Sequence, residues 1–182
     1  MTNDALKALF TESIQTQISA VETLQEPVSR AVELFVERLL QGQRVYCCGE
    51  AGGAFVASQF VRLMTDGMKL DRPPFPTIHL DQSKARQVNA LGQAGDVLLV
   101  VANHPDSELM TNIMEAALSR QMVIVALTCE TDDAIAGLLG ANDVEIRIPS
   151  RNPSRVIENQ LLVVHCLAEL VEARIFPQEH EG

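Results

Sequence analysis

Two runs without a polar residue, Leu98-Leu99-Val100-Val101 and Val123-Ile124-Val125-Ala126-Leu127, constrain this chain most. Continuous apolar runs of this kind suit central strands of a parallel sheet, covered on both faces. They fall within strand candidates at 96–101 and 123–128, and further candidates lie at 44–48, 77–80 and 144–148. Helical segments separate them, at roughly 54–65, 83–91, 107–119 and 134–139. Strand and helix in strict alternation predict an α/β fold, a doubly wound five-stranded parallel sheet.

Helices bracket this core. Leu6, Leu9, Phe10, Ile14, Ile18, Val21 and Leu24 recur at three- and four-residue spacing, one face of a helix over 4–24. Pro27 suits a first helical position. Val28, Val32, Phe35, Val36, Leu39 and Leu40 then give a second helix ending near Gly42, so an N-terminal helical hairpin is expected. The last helix runs from Pro153 to Ile175, with Pro177 as its stop. Val156, Ile157, Leu161, Leu162, Val163, Val164, Leu167, Leu170 and Val171 cover most of its circumference, so it must be buried on several sides. One sheet domain cannot easily cover both terminal helices, and burial between subunits predicts a homo-oligomer. The organisation is one domain over 1–182: a hairpin at 1–42, an α/β core at 43–150 and an oligomerisation helix at 151–177. The polar tail at 178–182 reads as frayed.

Composition narrows the function. The 182-residue chain has a formal charge of -10 and a pI near 4.8, which argues against direct binding to DNA or anionic membranes. Tryptophan is absent, so the core must be aliphatic. No apolar run is long enough to span a bilayer, and Met1-Thr2-Asn3-Asp4 does not open a signal peptide. The expected location is the cytoplasm. Cys47, Cys48, Cys129 and Cys166 contain no Cys-x-x-Cys pair, so no zinc site, redox motif or cofactor is indicated and buried free thiols are expected.

The chemistry should sit where Arg44-Val45-Tyr46-Cys47-Cys48 runs into Gly49-Glu50-Ala51-Gly52-Gly53-Ala54. A strand, a glycine-rich turn and a helix present free backbone N–H groups, the architecture of a phosphate cradle. Glu50 puts a carboxylate into that turn, and an anion within ~4 Å of a phosphate costs roughly 4 kcal/mol per unit charge near a surface. The cradle therefore has the wrong charge for its architecture.

The strand–Cys-Cys-Gly–turn–helix element and Gly92-Gln93-Ala94-Gly95-Asp96-Val97-Leu98-Leu99 resemble sugar isomerase (SIS) domain proteins. The resemblance lies with the branch of phosphoheptose isomerases and of proteins that associate with the replication initiator DnaA. Phe10-Thr11-Glu12-Ser13-Ile14-Gln15-Thr16-Gln17-Ile18, Ile124-Val125-Ala126-Leu127-Thr128 and Asp143-Val144-Glu145-Ile146-Arg147-Ile148-Pro149-Ser150 carry it further. It implies a SIS fold, a homotetramer and a sugar-phosphate pocket built from Gly49, Glu50, Gly52, Gly53, Ser107 and Glu158.

The same resemblance implies that the pocket is degenerate. The family's first loop reads roughly Gly-Asn-Gly-x-Ser-Ala, which puts its serine at Gly53 and its asparagine at Glu50. The second resembles Ser-Thr-x-Gly-Asn-Ser, and here Ala102-Asn103-His104-Pro105-Asp106-Ser107 keeps only Ser107, a suitable N-cap. The isomerase glutamate would fall near Leu63, and the isomerase histidine at Gln160, which cannot act as a general base. His165 points about 140° away from Gln160 on the helix and is placed to pair with Glu169. A segment that lines the sugar site in the family is largely missing between Leu80 and Val88. His104, Asp106 and Ser107 lie too close in sequence to form a catalytic relay. His79 reads as a core or rim residue, and Glu130, Asp132 and Asp133 as a solvated turn or a weak cation site.

Two functions follow. The first is a non-catalytic SIS tetramer that engages DnaA and regulates replication initiation. Ile175 and Phe176 would be the contact, unless they pack inside the assembly. The alternative is a phosphoheptose isomerase-like enzyme or sugar-phosphate sensor rebuilt from Glu50, Glu158, His79 and His104.

Overall fold

The computed structural model describes residues 2–81, 84–104 and 107–177. Residue 83 at the expected start of a helix, Pro105 and Asp106 of the second loop, and the tail at 178–182 lie outside them. The elements in chain order are α1 (Thr2–Leu40), β1 (Val45–Gly49), α2 (Gly52–Asp66), β2 (Thr77–His79), α3 (Lys84–Leu91) and β3 (Val97–Val101). After them come α4 (Glu108–Ser119), β4 (Val123–Cys129), α5 (Asp133–Ala136), β5 (Val144–Ile148) and α6 (Pro153–Ile175).

All five strands are parallel, in the order β2-β1-β3-β4-β5. The order reverses between β1 and β3, so the crevice outside their carboxyl ends is the natural ligand site of such a sheet. Side-chain alternation divides the core. Val45, Cys47, Leu99, Val101 and Leu127 face the layer of α1, α2 and α6. Tyr46, Cys48, Leu98, Val100 and Ala126 face the layer of α3, α4 and α5. The central strands β1, β3 and β4 are buried throughout, as their apolar runs require.

The expected hairpin is corrected: one 39-residue helix runs straight through Pro27. Ala20, Leu24, Ala31, Val32 and Phe35 form one buried stripe on both sides of the proline, without a change of phase. A proline inside a helix costs about 3 kcal/mol, and each buried aliphatic or aromatic side chain returns about 1.5–3 kcal/mol. Packing along α6 and β5 therefore outweighs the missing bond.

The last helix packs against α1 and α2 within the chain and leaves Leu162 and Leu170 exposed. Further apolar surface lies on the first half of α1, where Leu6, Phe10, Ile14, Ile18 and Val21 are each more than half exposed. Between α1 and α6 runs a groove of about 410 Å³, lined by Val21, Leu24, Val28, Leu162 and Leu170. Cys166 is exposed on its wall, unlike the other three thiols, which are buried as expected.

Candidate functional site

The crevice between β1 and β3 begins at Gly49 and Val101, which face each other in register. The turn after β1 consumes its own donors. Gly53 N–H donates to Glu50 O (2.8 Å) and Ala54 N–H to Ala51 O (3.2 Å). Ala51 adopts φ 47 and ψ -123, a conformation that favours glycine, and its side chain gives no cap to α2.

The charges at this turn are Glu50 and a cation the sequence did not single out. Lys84, in the first turn of α3, donates its Nζ to Gly49 O (2.9 Å). Glu50 Oε1 is buried and has no hydrogen-bond partner among the described residues. The Cys48 thiol is pushed up to about 12 by burial, with Lys84 pulling it down and Glu50 pushing it up. It is an inert core thiol, not a nucleophile.

The floor of the crevice is closed by side chains. A Cβ on Gly52 would overlap Ile157 Cδ1, and one on Gly53 would lie 2.5 Å from Val101 O. Asn103 spans the two loops. With its carboxamide turned so that the oxygen meets a donor and the nitrogen meets acceptors, its Oδ1 accepts from Gly53 N–H (2.7 Å), while its Nδ2 donates to Ala102 O (2.7 Å) and Gln160 Oε1 (2.5 Å). Gln160, with no exposed surface, donates through Nε2 to Ala102 O (3.0 Å) and approaches Leu127 O at 3.4 Å. Its amide is fully committed to holding strand ends together.

The remaining sequence candidates divide. Gly49, Glu50, Gly52 and Gly53 do form the β1 side of the crevice. Ser107 caps α4, its Oγ accepting from Met110 N–H at 3.2 Å. Glu158 faces α1 instead, accepting from Ser13 Oγ (2.7 Å) and Arg155 Nη1 (2.8 Å). Leu63 lies in the core. His79 and His104 are exposed. His165 meets Gln59 (3.3 Å) rather than the expected Glu169, which pairs with Lys69. Phe176 is half-buried and stacks on Phe75, ring centroids 5.9 Å apart, and Ile175 packs beside it against the core. The sequence reading missed Asn103 and Ile157 as occupants of the crevice and Lys84 as its cation. Only the adjacent glycines Gly52 and Gly53 hinted that something approaches closely there. Among the described residues no group of His, Cys, Asp or Glu is placed to hold a metal.

A parallel sheet with this strand order, a glycine turn after its first strand and a long closing helix define a sugar-isomerase architecture. The SIS domain family model matches residues 9–129, and the chain belongs to the SIS domain family. The chain is 41% identical to a protein of Photorhabdus laumondii named DnaA initiator-associating protein, over 98% of this chain and 99% of that one. It is 40% identical to a phosphoheptose isomerase of Shewanella loihica, with the same coverage. Among solved structures, a phosphoheptose isomerase from Francisella tularensis superimposes with a TM-score of 0.90 at 30% identity, covering 94% of this chain and 98% of that one. The alignment with the Photorhabdus protein spans 194 positions, more than the 182 residues of this chain, so that relative carries residues absent here. No described helix is long and apolar enough to cross a membrane.

Proposed function

We propose that this chain is a non-catalytic SIS protein that assembles as a homotetramer and associates with the initiator DnaA, tuning replication initiation in the cytoplasm. The observation that carries the proposal is Gln160. The residue matched to the isomerase histidine is an amide with no exposed surface, bonded to the carbonyl of Ala102 and to Asn103. It has no proton to exchange near neutral pH and no freedom to reach a substrate. Leu63, at the position matched to the glutamate, is buried hydrocarbon. The name and 41% identity of the Photorhabdus relative support DnaA as the partner.

In this reading the single domain 1–182 uses its terminal helices for assembly, and 151–177 is the oligomerisation helix. Ile175 and Phe176, at the end of α6, are the proposed partner contact. Several copies of a weak contact on one tetramer raise avidity for clustered initiators. The test is co-elution of the purified protein with DnaA. A complex that Phe176→Ala weakens supports the reading; no complex with the wild type removes the partner.

The Shewanella relative favours a second reading, a sugar-phosphate isomerase or sensor. Its acid and base would have to come from Glu50, Glu158, His79 and His104. Glu158 is held toward α1 by Ser13 and Arg155. Turnover of a heptose phosphate by the wild type would establish this reading over the first.

A further inference from the structure

We infer that the anion cradle at the end of β1 is occupied by the chain's own side chains, Asn103 and Ile157, so that the scaffold is built not to respond to phosphosugars. The inference rests on the crevice geometry and holds whether or not DnaA is the partner.

An anion at a strand–turn–helix junction needs exposed N–H donors and open space above the glycines. Both are taken here. Gly53 N–H is bonded to Glu50 O within the turn, and the Asn103 carboxamide oxygen sits 2.7 Å from the same nitrogen, where an anionic oxygen would approach. The Ile157 side chain lies so close over Gly52 that not even a methyl group fits between them. The two occupants come from different elements, the loop after β3 and the second turn of α6.

The rest of the network makes this a latch rather than a loose contact. Gly53 N–H, Asn103, Gln160 and the carbonyl of Ala102 form a continuous hydrogen-bonded chain. It ties the start of α2 to the loop after β3 and to α6. Displacing Asn103 would leave the Gln160 acceptor without this donor inside the protein, and a buried unpaired group costs about 1–3 kcal/mol. An incoming phosphate would meet that cost and the Glu50 carboxylate together, against the attraction of Lys84, whose ammonium is already bonded to Gly49 O.

The latch predicts that binding is restored by removing its parts. Asn103→Ser with Glu50→Asn uncovers the Gly53 amide, which the turn itself bonds to Glu50 O, and removes the charge; adding Ile157→Ala clears the space. The measurement is the melting temperature with millimolar inorganic phosphate, and separately with glucose 6-phosphate, against chloride at equal ionic strength. The expected result is no phosphate-specific shift for the wild type and a rise of about 2 °C or more for the opened variants. A wild-type shift equal to that of the variants overturns the latch. So does the absence of a shift in the triple variant or, where that does not fold, in its counterpart with Ile157→Val, which keeps apolar packing on α6 and removes the Cδ1 that overlies Gly52. DnaA co-elution is scored separately, so failure here does not decide the partner.

Discussion

Ala51 holds φ 47 and ψ -123 without a glycine's freedom. Such a conformation costs of order 1–3 kcal/mol for a residue with a Cβ, while glycine adds about 0.4–1 kcal/mol of unfolded-state entropy. Strain relief wins, so Ala51→Gly is expected to stabilise by about 1 kcal/mol and raise the melting temperature by about 2–4 °C. A lower melting temperature would mean that the turn is not strained. Two positions away the sign reverses. The family pattern calls for serine at Gly53, but its Cβ would lie 2.5 Å from Val101 O, a backbone atom that cannot step aside. Gly53→Ser is expected to destabilise by about 1–3 kcal/mol, read from denaturant midpoints, instead of repairing the loop. The losses at Gly53 and Gln160 were legible in the sequence because a missing hydroxyl or imidazole is a matter of residue type. What fills the vacated space was not. Asn103 and Ile157 act through neighbours that only the fold brings near, and Glu158 carries the family's residue yet faces Ser13 and Arg155.

The strands and inner helices were legible as elements because each carries one period and short connections leave few alternatives. Pro27 was misread, since a preference for the first helical turn was weighed above an apolar phase that continues from Leu24 to Phe35. The segment between α2 and β2 was not legible at all. It is held by Glu172 on α6, whose carboxylate accepts from the N–H groups of Met68, Lys69 and Leu70 and from Arg72 Nε at 2.8 Å. Arg72 in turn donates to the carbonyls of Leu63, Met64 and Pro73 and lies over the Phe75 ring. Burial opposes the charged form of Glu172, but these hydrogen bonds and the Arg72 charge outweigh it and leave the carboxyl below its ordinary value. A folded-state value below the unfolded one adds stability above the ordinary carboxylate range, and that stability is lost as pH falls through the folded value. Glu172→Gln is expected to cost about 3 kcal/mol at neutral pH, because it leaves Arg72 buried without its counter-charge. The gap between variant and wild type should close on acidification below about pH 4. Urea melts across that range measure it, and a gap independent of pH would show that the charge of Glu172 is not what holds the segment.

At the scale of the molecule, the sequence argument for assembly named both terminal helices as hard to cover, and most of the exposed apolar surface lies on the first of them. The last helix packs against α1 and α2, with the continuous α1 lying along it. The first half of α1 meets the start of α6 through Glu12 and Ser13 and turns an apolar stripe to solvent, with Leu6 54%, Phe10 64%, Ile14 54%, Ile18 58% and Val21 59% exposed. This stripe runs into the groove between α1 and α6, where Leu162 and Leu170 are also exposed. A contiguous apolar face of this kind marks an interaction site rather than an ordinary surface, and a self-associating chain offers every copy an equal apolar helix to cover it. The expected outcome is a single species well above monomer mass in sedimentation equilibrium at micromolar concentration. Val21→Asp separates assembly from folding. Val21 is 59% exposed in the single chain, so a charge there should change monomer stability by no more than about 0.5 kcal/mol. Inside an interface it would bury an unpaired carboxylate, at a cost large enough to dissociate the assembly. Loss of mass with an unchanged circular dichroism spectrum would place the stripe in the contact. A wild type that sediments as a monomer would leave the first half of α1 free for a partner of another kind and would remove the avidity on which the proposed initiator association depends.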